Sequence, residues 1–189
     1  MQYHITAPPK TDATIVLPAS KSISNRALII HALAGGTDIP QNLSDCDDTE
    51  VIVRALQEMD KRDATATNGE AQDALNIDIK AAGTAMRFLT AYLSCRPGKY
   101  VLTGTKRMKQ RPIKALVDAL RYLGAHIEYL EEEGFPPLRI SGRPLEGGQL
   151  TMAGSVSSQF ISALLMIGTV LKQGLELKMT GVIASRPYI

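Results

Sequence analysis

Apolar residues recur along this chain with two different periods, and the changes of period predict the order of helices and strands. A β-branched apolar run at 13–17 predicts a strand, which ends at Pro18 because proline cannot donate to a sheet ladder. After a polar turn, apolar residues recur at helical spacing until the glycine pair at 35–36, a favourable helix end. The opening of the chain therefore predicts a strand, a polar turn and a helix.

The later segments continue the same alternation of helices and strands. A second, amphipathic helix is expected to start within 47–49, and residues 60–73 are expected to form an exposed polar loop. A glycine-rich link is expected before the last helix. The remaining pattern predicts strands at 76–80, 99–103 and 175–179 and a hairpin at 125–141. It also predicts a helix that opens at 81–89 and ends before Pro97, a helix at 113–123, and a helix that opens at 154–159 and has its body at 160–171.

The predicted elements repeat. Three nearly all-apolar helices begin at hydroxyl- or glycine-rich turns near Ser22, Thr84 and Ser158, with amphipathic helices starting near Thr49 and Pro112 between them. Each repeat resembles a βαβαββ unit, which predicts a mixed α/β (α+β) fold with buried parallel helices and sheets outside, like an inverse α/β barrel. A doubly wound parallel sheet is the alternative, although the antiparallel hairpin fits it poorly.

Composition narrows the class of protein without identifying a function. Of 189 residues, 44% are hydrophobic and 21% charged, as in ordinary globular proteins, and the net charge of +2 is too small to indicate nucleic acid. The two cysteines match no metal or redox spacing, which predicts reduced thiols. We find no signal peptide and no apolar run of membrane-spanning length, and therefore expect a cytoplasmic protein.

The turns that precede the helices combine cations with hydroxyl groups. Cations are disfavoured near a helix N-terminus, so their recurrence there indicates a functional site. If the helices run parallel, the turns converge on one face whose free N–H donors suit a ligand with several negative charges, such as a small phosphorylated carboxylate. The groups are Lys21, Ser22 and Arg26; Gly83, Thr84 and Arg87; Lys106, Arg107, Lys109 and Arg111; and Ser157, Ser158 and Gln159.

Other chemistries lack the residues they require. Neither of the glycine-rich loops that cradle nucleotide phosphates is present, and the three histidines are scattered without a cysteine or aspartate at metal-ligand spacing. The basic run at 106–111 has no interleaved aromatic residue, which argues against nucleic-acid binding.

Five motifs resemble the 5-enolpyruvylshikimate-3-phosphate synthase family, and they occur in the family's order over nearly the whole chain. The family has two similar domains, each of three βαβαββ units, facing across a cleft. The resemblance implies that residues 13–189 form an incomplete substrate-binding first domain, with two units and the start of a third, and that residues 1–12 belong with a missing second domain. The motifs are LPASKSISNRAL at 17–28, AGTAMR at 82–87, RMKQRPI at 107–113, GSVSSQF at 154–160 and SRPYI at 185–189.

The resemblance also implies an activity and its residues. The family transfers the enolpyruvyl group of phosphoenolpyruvate to the 5-hydroxyl of shikimate 3-phosphate, releases phosphate, serves aromatic amino acid biosynthesis, and uses no metal or organic cofactor. Lys21 and Arg111 are the implied catalytic residues, and Lys21 would contact both substrates. The implied shikimate 3-phosphate contacts are Ser22, Arg26, Ser157, Ser158, Gln159, Ser185 and Tyr188; Gly83, Arg111 and Gln159 would line the phosphoenolpyruvate site, and Thr84 is a further substrate-binding residue.

Two departures from the family pattern flank the second motif. Ala81 stands where many members have Asn, and Phe88 stands where many have Pro, so the position of the helix that carries Gly83, the geometry of the substrate site and the sensitivity to glyphosate stay open. Residues 185–189 carry no polar tail or helix cap, so we expect a fragment. The family's general-base Asp, a Glu and further Arg and Lys come from the other half, so the fragment alone is expected to be inactive.

Two other functions stay open at this point. The related enolpyruvyl transferase acting on UDP-N-acetylglucosamine would carry a reactive cysteine in the loop at 104–113, where this chain has none. A non-enzymatic anion- or nucleic-acid-binding domain could use the same basic face. The expected partners are shikimate 3-phosphate, phosphoenolpyruvate and the missing C-terminal domain, in a monomer without nucleic acid or membrane.

Overall fold

The computed structural model describes residues 3–4, 6–7, 9–10, 12–65, 73–183, 186 and 189. Within these ranges, none of the helices combines the length and hydropathy that crossing a bilayer would require. The helices are α1 (Lys21–Leu33), α2 (Asp47–Thr65), α3 (Gly83–Cys95), α4 (Lys114–Tyr122) and α5 (Ser158–Gly168). A short 3-10 turn spans Met108–Gln110. The strands are β1 (Leu75–Asp78), β2 (Gly98–Thr103), β3 (His126–Tyr129), β4 (Leu138–Gly142), β5 (Gly148–Ala153) and β6 (Leu175–Thr180).

The strands form two sheets that each turn one face to the helices. The larger sheet has the order β1-β2-β4-β3, with β1 parallel to β2 and the other two pairs antiparallel. The smaller sheet pairs β5 with β6 in parallel. Antiparallel pairs within the larger sheet contradict the doubly wound alternative and confirm the mixed fold with sheets outside. Strand β5 occupies the stretch expected as a glycine-rich link, since Leu150 and Met152 alternate inward there.

Helix α3 is the centre of the core. Every residue from Gly83 to Ser94 is buried, and the helix packs against all four other helices and against β2 and β4. Helix α5 is almost as buried. The expectation of a third buried helix is wrong for α1, because it contacts α2, α3 and α5 through one face only and leaves Ile23 70% exposed on another.

The expected strand at 13–17 is absent from the structure. Its apolar side chains Ile15, Val16 and Leu17 are between 78% and 89% exposed. A strand needs a neighbour that accepts and donates its backbone hydrogen bonds, and no described strand pairs with this segment. Helix α2 also continues to Thr65, into the stretch expected to be a loop; residues 66–72 lie outside the described ranges.

Candidate functional site

The first residues of α1 and α2 are joined by an ion pair. Ser20 caps α1 by accepting a hydrogen bond from the N–H of Ile23, so Lys21 and Ser22 occupy the first turn. Lys21 is half exposed, and its Nζ lies 3.5 Å from Oδ2 of Asp48, which is in the first turn of α2. The carboxylate therefore offsets part of the positive charge that Lys21 brings to a helix N-terminus.

The same carboxylate joins α2 to the start of α3. Ala82 precedes α3 and has no side chain that could cap it. Oδ1 of Asp48 instead accepts a hydrogen bond from the N–H of Thr84 at 2.9 Å, and Thr84 Oγ1 accepts one from Nε2 of Gln159 at 3.2 Å, at the start of α5. A continuous chain of contacts thus joins the starts of α1, α2, α3 and α5. The face expected from the sequence included the starts of α1, α3 and α5 and the basic turn before α4, but not the start of α2.

Arg26 connects α1 to α5 one turn deeper. Its Nη2 donates to Oγ of Ser162 at 2.8 Å, and its Nη1 donates to the carbonyl of Ser22 at 2.9 Å. The guanidinium carbon lies 5.3 Å from the ring centroid of Phe88, in cation–π range. Partial burial lowers the pKa of Arg26. Its side chain is therefore held between three helices at the edge of the site.

Gly83 and Arg111 meet beside a cavity. A Cβ atom at Gly83 would overlap Nη1 of Arg111 and lie 2.8 Å from Nη1 of Arg87, so a larger residue there would displace the guanidinium end of Arg111. Arg111 follows the 3-10 turn and is exposed. A cavity of about 390 Å³ adjoins it, and its lining residues are Ala81, Arg107, Met108 and Arg111.

The other residues predicted for the site differ in their surroundings. Ser157 caps α5 and accepts a hydrogen bond from the N–H of Gln159, and Ser158 is the first residue of that helix. Lys109 pairs with Glu131 at 2.5 Å, so the carboxylate offsets part of its positive charge. Ser185 and Tyr188 fall outside the described residues. The sequence analysis placed position 48 only at the start of α2 and missed the contacts of Asp48 with α1 and α3.

The site has more cations than carboxylates that could neutralise them. Lys21 and Asp48 form one ion pair, while neither Arg87 nor Arg111 has a carboxylate oxygen within 4 Å among the described residues. The N-termini of α3 and α5 add partial positive charge. Guanidinium groups and free N–H donors bind phosphate and carboxylate groups well, so the arrangement suits a small anion with more than one negative group.

The chain matches a family model along nearly all of its length. The model is described as EPSP synthase (3-phosphoshikimate 1-carboxyvinyltransferase) and matches residues 5–189. Two solved structures described as EPSP synthase from Acinetobacter baumannii have TM-scores of 0.65 and 0.64 at 24% and 25% identity, and each alignment covers 83% of this chain and 38% of the other.

Curated relatives carry the same description and are longer than this chain. Two proteins from strains of Bacteroides fragilis, both called 3-phosphoshikimate 1-carboxyvinyltransferase, are 63% and 62% identical over the whole chain, which covers 43% of each. A protein of that name from Aliivibrio fischeri is 45% identical over 95% of this chain and 45% of its own length. The chain therefore spans less than half the length of the curated relatives it matches.

Proposed function

The chain belongs to the EPSP synthase family, and from this membership we propose that it is the part of a 3-phosphoshikimate 1-carboxyvinyltransferase that binds shikimate 3-phosphate and one end of phosphoenolpyruvate. The proposed reaction transfers the enolpyruvyl group to the 5-hydroxyl of shikimate 3-phosphate and releases phosphate. The observation that carries the proposal is the contact chain from Lys21 through Asp48 and Thr84 to Gln159, which gathers four helix starts into one cationic face.

Phosphoenolpyruvate is proposed to bind against Gly83, Arg111 and Gln159. The planar fork of Arg111 matches a phosphate or carboxylate group. Gly83 has no Cβ, so the guanidinium groups of Arg111 and Arg87 can lie beside its backbone at the positive end of α3. Positive charge fixed around the reacting carbon favours the tetrahedral intermediate, in which the negative groups of both substrates come together.

Shikimate 3-phosphate is proposed to bind on the side of α1 and α5. Lys21 is proposed to contact both substrates and to move a proton between them, since it is on α1 and its partner Asp48 bonds the start of α3. Arg26 is already positioned by Ser162 and the carbonyl of Ser22. The remaining proposed contacts with this substrate are Ser22, Ser157, Ser158, Gln159, Ser185 and Tyr188, and Thr84 supports the site through Gln159.

The proposal includes a second domain that completes the site. Residues 13–189 would be the incomplete first domain, and residues 1–12 would belong with the second, which would supply the general-base Asp and further charged groups. The exposed apolar run at 15–17 supports this, because it offers an unpaired edge and apolar side chains to such a domain. We also propose a monomeric, cytoplasmic enzyme, in keeping with the two free cysteines at 46 and 95.

Phosphate release tests the proposed function in the protein at the full length of its curated relatives. With shikimate 3-phosphate and phosphoenolpyruvate as substrates, Lys21→Ala and Arg111→Ala should each lower kcat/KM by roughly 100-fold, the usual loss for one group acting on developing charge or a transferred proton. Arg139→Ala is the control, since Arg139 is exposed on β4 and pairs with Glu128.

Three results would contradict the proposal. Unchanged phosphate release in both site variants would remove the residue assignments. Turnover with UDP-N-acetylglucosamine in place of shikimate 3-phosphate would indicate the related transferase. Binding of single-stranded RNA with neither turnover would indicate a binding domain.

A further inference from the structure

Two buried residues that the proposed reaction does not use contact the guanidinium group of Arg26. Phe88 on α3 is 0% exposed, and Ser162 on α5 is 4% exposed. The guanidinium carbon of Arg26 lies 5.3 Å from the centroid of the Phe88 ring, and its Nη2 donates to Oγ of Ser162 at 2.8 Å. Side chains in a packed core keep one rotamer, so both contacts have a fixed direction.

Ser162 is polar in a segment of α5 that is otherwise apolar. Residues 160–168 contain no other polar side chain. A buried hydroxyl costs free energy unless it makes a hydrogen bond, and the guanidinium group of Arg26 supplies it with a charged donor. The contact with Arg26 is therefore a physical reason for a serine at this position of a buried helix.

The ring of Phe88 attracts Arg26 without neutralising it. The face of an aromatic ring carries partial negative charge, which attracts a cation and offsets part of the cost of its desolvation. Burial lowers the pKa of Arg26, and the ring opposes that loss of the charged form. A carboxylate in the same place would cancel the positive charge, whereas a ring leaves that charge for an anionic ligand.

Contacts from three helices thus define the orientation of one long side chain. Besides its contacts with α3 and α5, Nη1 of Arg26 donates to the carbonyl of Ser22 on its own helix at 2.9 Å. Ordering a flexible side chain at the moment of binding reduces the affinity for a ligand, and a side chain that the protein already orders avoids this loss.

We propose that Phe88 and Ser162 are positioning residues that hold the guanidinium group of Arg26 in the orientation in which it binds shikimate 3-phosphate. The identity of that ligand rests on the proposed function, whereas the positioning of Arg26 rests on the contacts alone. Loss of either contact should therefore weaken binding of shikimate 3-phosphate through Arg26 and affect phosphoenolpyruvate less.

Fluorination of the ring tests the contact with Phe88 while nearly keeping the packing. Pentafluorophenylalanine has a ring of similar shape whose face no longer attracts a cation. In the protein at its relatives' full length, this replacement at Phe88 should weaken binding of shikimate 3-phosphate, measured by calorimetry, by about threefold or more. The same replacement at Phe135, in the turn between β3 and β4, is the control and should leave the affinity unchanged. Wild-type affinity after replacement at Phe88 would overturn its role.

Two buried serines provide a matched test of the hydrogen bond. Ser162→Ala should weaken binding of shikimate 3-phosphate by about threefold or more, because the guanidinium group of Arg26 loses an acceptor. Ser94→Ala removes a buried hydrogen bond to the carbonyl of Thr90 at the other end of α3. It should lower the Tm to a similar extent and leave binding unchanged. Equal affinities in the two variants would overturn the role of Ser162.

A double-mutant cycle shows whether both residues act through Arg26. In an Arg26→Met background, Ser162→Ala and the fluorinated ring at Phe88 should cause no further loss of affinity, since no guanidinium group is left to position. Losses of the same size in this background would mean that the two residues support the site only by packing, and would overturn the proposal.

NMR measures the orientation of Arg26 without any substrate. In protein with labelled arginine, the side-chain resonance of Arg26, assigned through Arg26→Met, should be shifted by the ring current of Phe88 and should lose that shift in Phe88→Leu. A resonance that does not move would overturn the positioning. A moving resonance in a protein that does not bind shikimate 3-phosphate would refute the proposed function and leave the positioning of Arg26 intact. Normal turnover with wild-type affinity in the Phe88 and Ser162 variants would do the opposite.

Discussion

The two cysteines occupy different environments although their sequence contexts give no sign of it. Burial raises the pKa of the Cys95 thiol to about 12. Burial also opposes ionisation of Cys46, but hydrogen bonds with Thr49 and Ser44 outweigh it and hold the pKa of Cys46 below its usual value. The Sγ of Cys46 lies 3.3 Å from Oγ1 of Thr49. Cys46 is therefore the more reactive thiol of the pair.

This difference predicts selective alkylation. At pH 8, iodoacetamide should modify Cys46 at least about tenfold faster than Cys95, because the thiolate is the reacting form and its fraction falls as the pKa rises. Raising the pH from 7 to 8 should accelerate modification of Cys46. Peptide mass spectrometry of timed samples measures both rates, and Cys46→Ser is the control for assignment. Equal rates at the two thiols would contradict the assigned environments.

Among the helices, the start of α3 depends on a residue from another helix. The sequence shows the glycine and threonine that open α3, but Ala82 cannot cap it, and the capping oxygen comes from Asp48 on α2. Side-chain caps contribute about 0.5–2 kcal/mol. Because the cap here spans two helices, it also fixes how α2 and α3 are oriented at the site.

Substitution of Asp48 measures how much its hydrogen bond to the start of α3 contributes to the free energy of unfolding. Asp48→Ala should lower the free energy of unfolding by about 1 kcal/mol, since the N–H of Thr84 loses its acceptor in a partly buried position. Asp48→Asn keeps an acceptor oxygen and should lose less. Asp47→Ala is the control, because Asp47 is exposed in the same turn of α2. Urea denaturation gives the three values, and equal losses in the alanine variants at 47 and 48 would show that Asp48 caps nothing.

The hydrophobic pattern predicted most helices and strands to within a few residues. It failed for elements whose burial or secondary structure depends on the element that they pack against or pair with. The periods that identify α2, α3, α4 and the hairpin are local properties of the sequence. The burial of α1 is not a local property, because its apolar residues are covered only where α2, α3 and α5 contact them. Strand β5 was missed because its glycines indicate a link, whereas its pairing with β6 makes it a strand.

At the scale of the whole molecule, the segment at 13–17 is the part of the described chain that most clearly lacks a packing and pairing partner. Its side chains at 15–17 are exposed, and no described strand pairs with it. The proposed second domain would provide both a cover for the apolar side chains and partners for the backbone. The relatives have enough additional length for such a domain, since this chain covers 43% of the first two.

Amide hydrogen exchange tests whether a second domain covers residues 13–17. In the 189-residue chain, amides at 13–17 should exchange as fast as in an unstructured peptide, because they have no acceptors among the described residues. In the protein at its relatives' full length, their exchange should slow by about 100-fold or more. Amides of α3 serve as the control and should be protected in both. Fast exchange at 13–17 in the longer protein would refute a second domain that covers this segment.

The sequence by itself determined the mixed fold, the order of most elements and the polar turns at Lys21, Gly83 and Ser158, because capping, periodicity and glycine placement act between residues close in the chain. It also placed those turns in motifs that identify the family. Only the tertiary structure decided which charges meet. Asp48 joins three helices, Lys109 is drawn to Glu131, and Arg87 is buried without a carboxylate, since each depends on residues brought together from distant parts of the chain.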